Sequence, residues 1–243
     1  MSPAARGDGT TTHGRGSDSR GRTRGVRSAS IGRHVAGPGA AVLHLRKADP
    51  VLARIIDAHP DFDPRAWLAR FPPMDAFGTL VFQITGQQLS IASTRSILGR
   101  LRDRFHGLLP TPEELASLSP AVLRRLGFSR GKALTLRRVA REFRDGRLSD
   151  AELRTLSDSE IEALLTKIKG IGPWTVHGFL IVALDRPDVT LPGDLALRKS
   201  IQRAYHLRHL PSQERVLRIS EAWRPYRSLA TGYLFQAAFG SAT

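Results

Sequence analysis

Apolar residues recur every three to four positions from residue 49 onward, which is the period of helices that bury one face. No segment shows a convincing apolar–polar alternation of the kind that marks a half-buried strand. The chain is therefore predicted to be all-α, with about ten helical stretches. The predicted spans are 50–56, 74–88, 91–105, 132–143, 161–168, 173–184, 194–205, 212–223 and 226–239. Residues 36–48 give no clear pattern, and a short strand at 41–45 is one interpretation of them.

Local start signals support several of these helices. Thr111-Pro112 and Ser119-Pro120 each place a capping hydroxyl before a proline, which is favoured in the first helical turn. Ser157 is followed three residues later by Glu160, the spacing of a capping box. Helix starts at these points are therefore predicted from sequence alone.

The first 36 residues differ in composition from the rest of the chain. They contain seven Arg and two Asp, and almost no large apolar side chain. Such a segment buries too little apolar surface to offset the entropy lost on ordering. We expect a disordered basic arm at 1–36, which either attracts DNA non-specifically or is dispensable, and one helical domain at 37–243.

The charge balance indicates a polyanionic partner. The chain has 37 Lys and Arg against 22 Asp and Glu, a formal net charge of +15 and a pI near 11.4. Cations that neutralise phosphates release counterions, so nucleic acid is the favoured partner. The absence of cysteine excludes disulfides, thiolate zinc sites and thiolate-held iron–sulfur clusters. No apolar run is long enough to span a membrane, so no membrane contact is expected and a cytoplasmic location is the default.

A glycine hairpin stands between two of the predicted helices. Lys169-Gly170-Ile171-Gly172 ends one helix, and Pro173 begins the next. The free N–H groups at such a turn form an anion site, and a DNA phosphate is its natural ligand. Lys167 lies beside the turn. An ordinary corner between two helices is the alternative.

A second element follows the hairpin at a short distance. Asp194 comes 22 residues after Gly172, in Leu191-Pro192-Gly193-Asp194, directly before a predicted helix. An aspartate in this position is a good N-cap. It also suits a catalytic carboxylate, because the helix dipole favours its ionised form. The residues alone leave both roles open.

Taken together, the hairpin, the Gly-Pro turn and the downstream aspartate resemble the helix-hairpin-helix base-excision DNA glycosylases, and most closely their 3-methyladenine DNA glycosylase II branch. The resemblance covers roughly 72–239. It implies two helical subdomains that flank an active-site cleft, with the hairpin at about 161–184 and the catalytic aspartate on a helix at about 194–205. It also implies hydrolysis of the N-glycosidic bond of alkylated purines, such as 3-methyladenine and 7-methylguanine, after base flipping in double-stranded DNA.

The resemblance assigns roles to individual residues. Asp194 matches the catalytic aspartate, and Trp174 stands where lyase-type members carry a nucleophilic lysine, which implies a glycosylase without lyase activity. A pocket tyrosine of the family aligns with Gly178, which puts the substrate range in question. The resemblance also implies a base pocket formed by Trp174, Gln87 and Phe235, and a DNA wedge formed by Gln88, with Leu89 as the alternative. It implies phosphate contacts from Lys167, Lys169, Gly170, Gly172, Thr175 and Arg198. It further implies a monovalent cation held by the backbone carbonyls of Thr166, Ile168 and Ile171.

Two other functions stay open at this point. The same fold could act on deaminated or otherwise damaged bases, or the hairpin could serve a non-catalytic DNA-binding module. A monomer that requires no cofactor and lacks an iron–sulfur cluster is expected in each case.

Overall fold

Every regular element in residues 38–71 and 73–240, the part of the chain that the computed structural model describes, is helical. The all-α prediction is therefore confirmed, and the expected arm at 1–36 lies outside the described residues. Two short 3-10 helices, Ala66–Arg70 and Glu221–Trp223, accompany the α-helices. The α-helices are α1 (Pro38–Ala48), α2 (Pro50–Ala58), α3 (Ala76–Gly86), α4 (Ile91–Asp103), α5 (Pro112–Ser117), α6 (Pro120–Arg125), α7 (Arg130–Arg144), α8 (Asp150–Thr155), α9 (Asp158–Leu165), α10 (Pro173–Val182), α11 (Leu195–Ala204), α12 (Gln213–Ser220) and α13 (Arg227–Phe239).

Side-chain caps fix where most helices begin. The capping boxes predicted before α5 and α9 are both present, at Thr111 with Glu114 and at Ser157 with Glu160. Each such cap contributes about 1 kcal/mol by satisfying an N–H group that the helix leaves free. The helix starts are therefore encoded locally, which is why the sequence pattern located them.

One interpretation of the N-terminal region is wrong. Residues 41–45 form no strand, because Pro38–Ala48 is helical. Ala41 and Leu45, four residues apart, lie on one helical face and are buried, and α1 packs against α2. The short α8 and the 3-10 helix Ala66–Arg70 were also absent from the sequence prediction.

Two apolar clusters divide the described helices into two subdomains, as expected. The first cluster is built from helices α3 to α10 and includes Leu80, Leu136 and Phe179. The second joins α1 and α2 to α11, α12 and α13 and includes Trp223. The side chain of Ile181 on α10 packs against both clusters, so α10 lies at their junction.

A buried carboxylate ties the second subdomain together. Asp49 caps α2 with one oxygen and accepts hydrogen bonds from the Tyr205 hydroxyl and, at 2.9 Å, from the Trp223 indole with the other. Burial and the hydrogen bond to Asp49 raise the pKa of Tyr205 far above its usual range. This network anchors the end of α11, whose start carries Asp194.

No helix in the described ranges is both long and apolar enough to cross a membrane.

Candidate active site and DNA interface

Asp194 is held by two different elements. It is the N-cap of α11, and its Oδ1 accepts a hydrogen bond of 2.7 Å from the Leu197 N–H. Its Oδ2 accepts a hydrogen bond of 2.8 Å from the Trp174 indole Nε1–H. The capping role is thus present, and it leaves the second oxygen for a contact with α10.

The chain around Trp174 explains how the indole reaches this carboxylate. Gly172 is the N-cap of α10 and Pro173 occupies its first position, so Trp174 lies in the first helical turn. Its ring is half-buried and packs against the second cluster. The indole therefore bridges the hairpin side of the molecule to the helix that begins with Asp194.

The hairpin between α9 and α10 has the free N–H groups expected of an anion site. Among the described residues, the backbone N–H groups of Lys169, Gly170, Gly172 and Trp174 donate no hydrogen bond. Gly170 has a φ of +104°, and a Cβ there would overlap the Thr135 hydroxyl, so only glycine fits. The turn is exposed at Lys169 and Gly170, where a phosphate could reach it.

Helix α7 is joined to the hairpin by two hydrogen bonds. The Thr135 hydroxyl and the Arg138 guanidinium each donate a hydrogen bond of 3.1 Å to the Lys169 carbonyl. On the same helix, the Lys132 ammonium donates to the carbonyls of Thr85 and Gln87, both at 2.7 Å. Partial burial lowers the pKa of Lys132. The sequence placed Lys132 only on a basic helical face, and no local signal shows these distant contacts.

The predicted wedge loop follows the end of α3. Gln88 is exposed and has a φ of +56°, in the left-handed region. Leu89 is 41% exposed and Ile91 is 68% exposed. Ser90 closes the loop by capping α4. The loop thus presents a polar side chain and two apolar ones to solvent, beside the end of α3 that Lys132 holds.

Gln87 links this loop to the hairpin. Its amide Nε2 donates to the Gly170 carbonyl at 3.1 Å and to the Thr175 hydroxyl at 2.8 Å. Both amide protons are therefore used, and only the carbonyl oxygen is left for a base. Thr175 is 2% exposed and its N–H donates to the Gly172 carbonyl, so the structure places it inside the hairpin and not on the exposed turn.

The other predicted residues lie on α11, on α13 and beside the hairpin. Arg198 is half-buried and its Nε donates to the Pro211 carbonyl at 2.7 Å, which holds the connection between α11 and α12. Phe235 is half-buried on α13, packs against the second cluster, and its ring centroid lies 6.3 Å from that of Phe239. Lys167 is exposed beside the hairpin.

Backbone carbonyls at the hairpin were predicted to hold a monovalent cation. The Ile168 carbonyl accepts the Ile171 N–H at 2.9 Å, whereas within the described chain the carbonyls of Thr166 and Ile171 accept no hydrogen bond. These oxygens have the chemistry that such an ion requires, and the ion itself stays a prediction. No group of three or more His, Asp or Glu side chains within 38–71 and 73–240 could hold a metal.

Comparison with known proteins places this architecture in a family. The HhH-GPD superfamily of base excision DNA repair proteins matches residues 81–225. DNA-3-methyladenine glycosylase 1 of Schizosaccharomyces pombe is 30% identical over 200 residues, which cover 82% of this chain and 86% of the relative. The chain belongs to the HhH-GPD superfamily, and the resemblance drawn from the hairpin and Asp194 is confirmed.

Solved structures agree with this assignment. The S. pombe 3-methyladenine DNA glycosylase in complex with abasic DNA has a TM-score of 0.75 and 30% identity, over 81% of this chain and 95% of that one. The 3-methyladenine DNA glycosylase of Archaeoglobus fulgidus has a TM-score of 0.72 and 26% identity, over 85% of this chain and 71% of that one. The helical subdomains described above are therefore a known glycosylase fold.

Proposed function

We propose that this chain is a DNA glycosylase that hydrolyses the N-glycosidic bond of alkylated purines, of the 3-methyladenine and 7-methylguanine type, in the first step of base excision repair. The observation that carries the proposal is the Asp194 carboxylate, fixed by the backbone N–H of Leu197 and the indole N–H of Trp174. The names of the relatives, which are 3-methyladenine DNA glycosylases, support this choice of substrate.

Binding to double-stranded DNA would use the hairpin. Its free N–H groups, together with Lys167 and Lys169, suit a backbone phosphate. The net charge of +15 favours association with any DNA. Gln88 and Leu89 would enter the duplex and fill the space that the flipped nucleotide leaves. Arg198 is a second candidate for a phosphate contact.

The chemistry follows from the charge of Asp194. Cleavage of the bond between C1′ and the base nitrogen leaves positive charge on the sugar, and a nearby carboxylate stabilises it. A purine alkylated at N3 or N7 already carries a positive charge, so it takes the bonding electrons and leaves as a neutral base. Water then adds to C1′ and loses its proton, with Asp194 orienting the water or accepting the proton.

The base would leave its stack for a partly aromatic pocket. A cationic purine is attracted to the face of an electron-rich ring, and Trp174 would supply one wall. Phe235 is a second candidate wall, and the Gln87 carbonyl oxygen can accept a hydrogen bond from the base. The same indole would thus hold the carboxylate through its N–H and stack on the base through its face.

The product should be an intact abasic site. Trp174 has no amine that could attack the sugar, so no Schiff base forms at this position and the strand stays uncut. The proposed reaction consumes only water, and neither a cofactor nor an iron–sulfur cluster takes part in it. We extend the proposal to a monomeric protein that acts in the cytoplasm on chromosomal DNA.

The test is base release from a defined duplex. The full chain is incubated with duplexes that carry 3-methyladenine or 7-methylguanine, and the released base is separated from DNA. Free base should appear, the strand should break only after alkali, and borohydride should trap no covalent complex. Release of hypoxanthine or ethenoadenine in place of methylated purines would redirect the substrate assignment. DNA binding without release of any base would leave the non-catalytic module.

A further inference from the structure

Gln83, on α3, has a buried side-chain amide that makes none of the hydrogen bonds of the candidate active site or the hairpin. Gln83 is 6% exposed, and its amide makes no hydrogen bond with any described residue. The side-chain atoms that are both fully sealed and unpartnered in the described chain belong to other residues. The Gln83 amide therefore borders accessible space, where it can donate and accept hydrogen bonds that the protein does not satisfy.

The amide lies directly over a glycine of α10. A Cβ added at Gly178 would stand 2.5 Å from the Gln83 Oε1, 2.8 Å from its Cδ and 2.9 Å from its Nε2. No side chain can occupy that space while the amide is there. The residue pair thus puts a polar, planar group where a larger residue at 178 would place its own side chain.

Helical geometry relates this pair to the candidate active site. Gln87 meets Thr175 where α3 ends and α10 begins, and Gln83, one turn back, meets Gly178, about one turn on. Trp174 and Gly178 are four residues apart and lie on one face of α10. The Gln83 amide therefore lies about one helical turn further along α10 than the Trp174 indole that binds Asp194.

We infer that Gln83 is a specificity-determining residue, whose amide hydrogen-bonds the edge of the flipped purine; the inference rests on the proposed function. A side-chain amide offers one donor and one acceptor side by side. That arrangement matches the amino group and ring nitrogen of an adenine-type edge, or the carbonyl and ring N–H of a guanine-type edge. Trp174 would contact the face of the base and Gln83 its edge.

The first variant is Gln83→Met, which keeps the length of the side chain and removes both hydrogen-bonding groups. Single-turnover release of 3-methyladenine and 7-methylguanine should fall roughly 10- to 100-fold, the range expected for a lost bidentate base contact. Affinity for a duplex with a tetrahydrofuran abasic analogue should stay unchanged, because that duplex has no base to read. Gln202→Met on α11 is the matched control and should leave release unaltered.

A second variant moves the amide without removing it. Gly178→Ala should displace the flexible end of Gln83 and, like Gln83→Met, slow the release of methylated purines. The double variant with both substitutions should be no slower than Gln83→Met alone. Gly99→Ala is its control, because a Cβ there meets nothing within 4 Å. Both substitutions place alanine in a helix interior, where it is favoured over glycine.

The experiments distinguish a failure of the role of Gln83 from a failure of the proposed glycosylase function. Release by Gln83→Met at the wild-type rate overturns the role of Gln83 and leaves the glycosylase assignment intact. An equal loss of affinity for the abasic-analogue duplex also overturns it, because the residue would then be merely structural. If the wild-type chain releases no methylated purine, the proposed function fails and this inference fails with it.

Discussion

The indole Nε1–H of Trp174 donates a 2.8 Å hydrogen bond to the Oδ2 of Asp194. Trp174 lies on α10 and Asp194 is the N-cap of α11. Other side chains of α10 belong to the first apolar cluster, whereas the Trp174 indole packs against the second. A carboxylate fixed by both its own helix and a neighbouring one keeps its position relative to the hairpin. The bond therefore couples the helix that follows the hairpin to the candidate catalytic group.

Replacing Trp174 by phenylalanine should show how much that hydrogen bond contributes to the rate of base release. Trp174→Phe keeps an aromatic wall and removes the N–H, so Asp194 loses one of its two donors. A hydrogen bond to a charged group contributes about 1.5–3 kcal/mol, which corresponds to a roughly 10- to 100-fold slower single-turnover release of methylated purine. Affinity for abasic-analogue DNA, measured by fluorescence anisotropy, should be retained.

Trp67→Phe is the matched control for this experiment. Trp67 is 39% exposed and packs against Phe71 and Phe82, and its indole N–H makes no hydrogen bond to any described residue. Its substitution should leave the rate of base release unchanged. Equal rates for Trp174→Phe and the wild-type chain would show that the indole hydrogen bond is not needed for catalysis.

Gly170→Ala should damage the hairpin. A left-handed backbone costs a non-glycine residue about 1–2 kcal/mol, and the added Cβ would also push Thr135 away from the Lys169 carbonyl. Urea unfolding should show a lower free energy of unfolding, and affinity for undamaged duplex should fall. Gly107→Ala separates the two causes, since Gly107 has a φ of +87° with nothing near its Cβ position. A loss of DNA affinity as large in Gly107→Ala would contradict this account of the hairpin.

Lys132→Met should loosen the wedge loop. The substitution frees the carbonyls of Thr85 and Gln87 from the ammonium that holds them. Flipping, followed by 2-aminopurine fluorescence next to the lesion, should become slower, while affinity for undamaged DNA changes little. Arg130→Met on the same helix removes the same charge from an exposed position and serves as the control. Identical flipping rates in the two variants would show that only charge matters here.

Lys169→Ala should change how binding responds to salt. If this lysine neutralises a phosphate, the slope of log affinity against log salt concentration should become shallower by about 1. The loss should be the same for damaged and undamaged duplexes, because a phosphate contact carries no base information. Lys47→Ala, at an exposed position on α1, should keep the wild-type slope. An unaltered slope in Lys169→Ala would remove this lysine from the phosphate site.

The sequence predicted most of the fold because the helix signals are local. Thr111 and Ser157 cap the helices they precede, and Pro173 begins α10 as expected. The interpretation of 41–45 as a short strand was wrong because α1 is defined by its packing on α2, which the local pattern of a single short helix does not show. The 3-10 helix Ala66–Arg70 was missed for a related reason, since its aromatic side chain at 67 packs on distant residues.

The candidate site was predictable from sequence only where its signals are local. Asp194 and the Gly170 turn stand in a recognisable spacing, whereas the contacts of Lys132 and Thr135 join residues 34 to 47 positions apart. Gln87 was expected in the base pocket, and the structure adds that its amide protons bind the hairpin. The packing of Gln83 on Gly178 depends on how α3 lies against α10, which one sequence does not reveal.

The central claim is that the Asp194 carboxylate drives release of an alkylated base. Asp194→Asn keeps the size of the side chain and an oxygen for the α11 cap but removes the negative charge. Single-turnover release of 3-methyladenine should be abolished in this variant, with affinity for abasic-analogue DNA retained and with Asp61→Asn as active as the wild-type chain. Release at an undiminished rate by Asp194→Asn would contradict the claim.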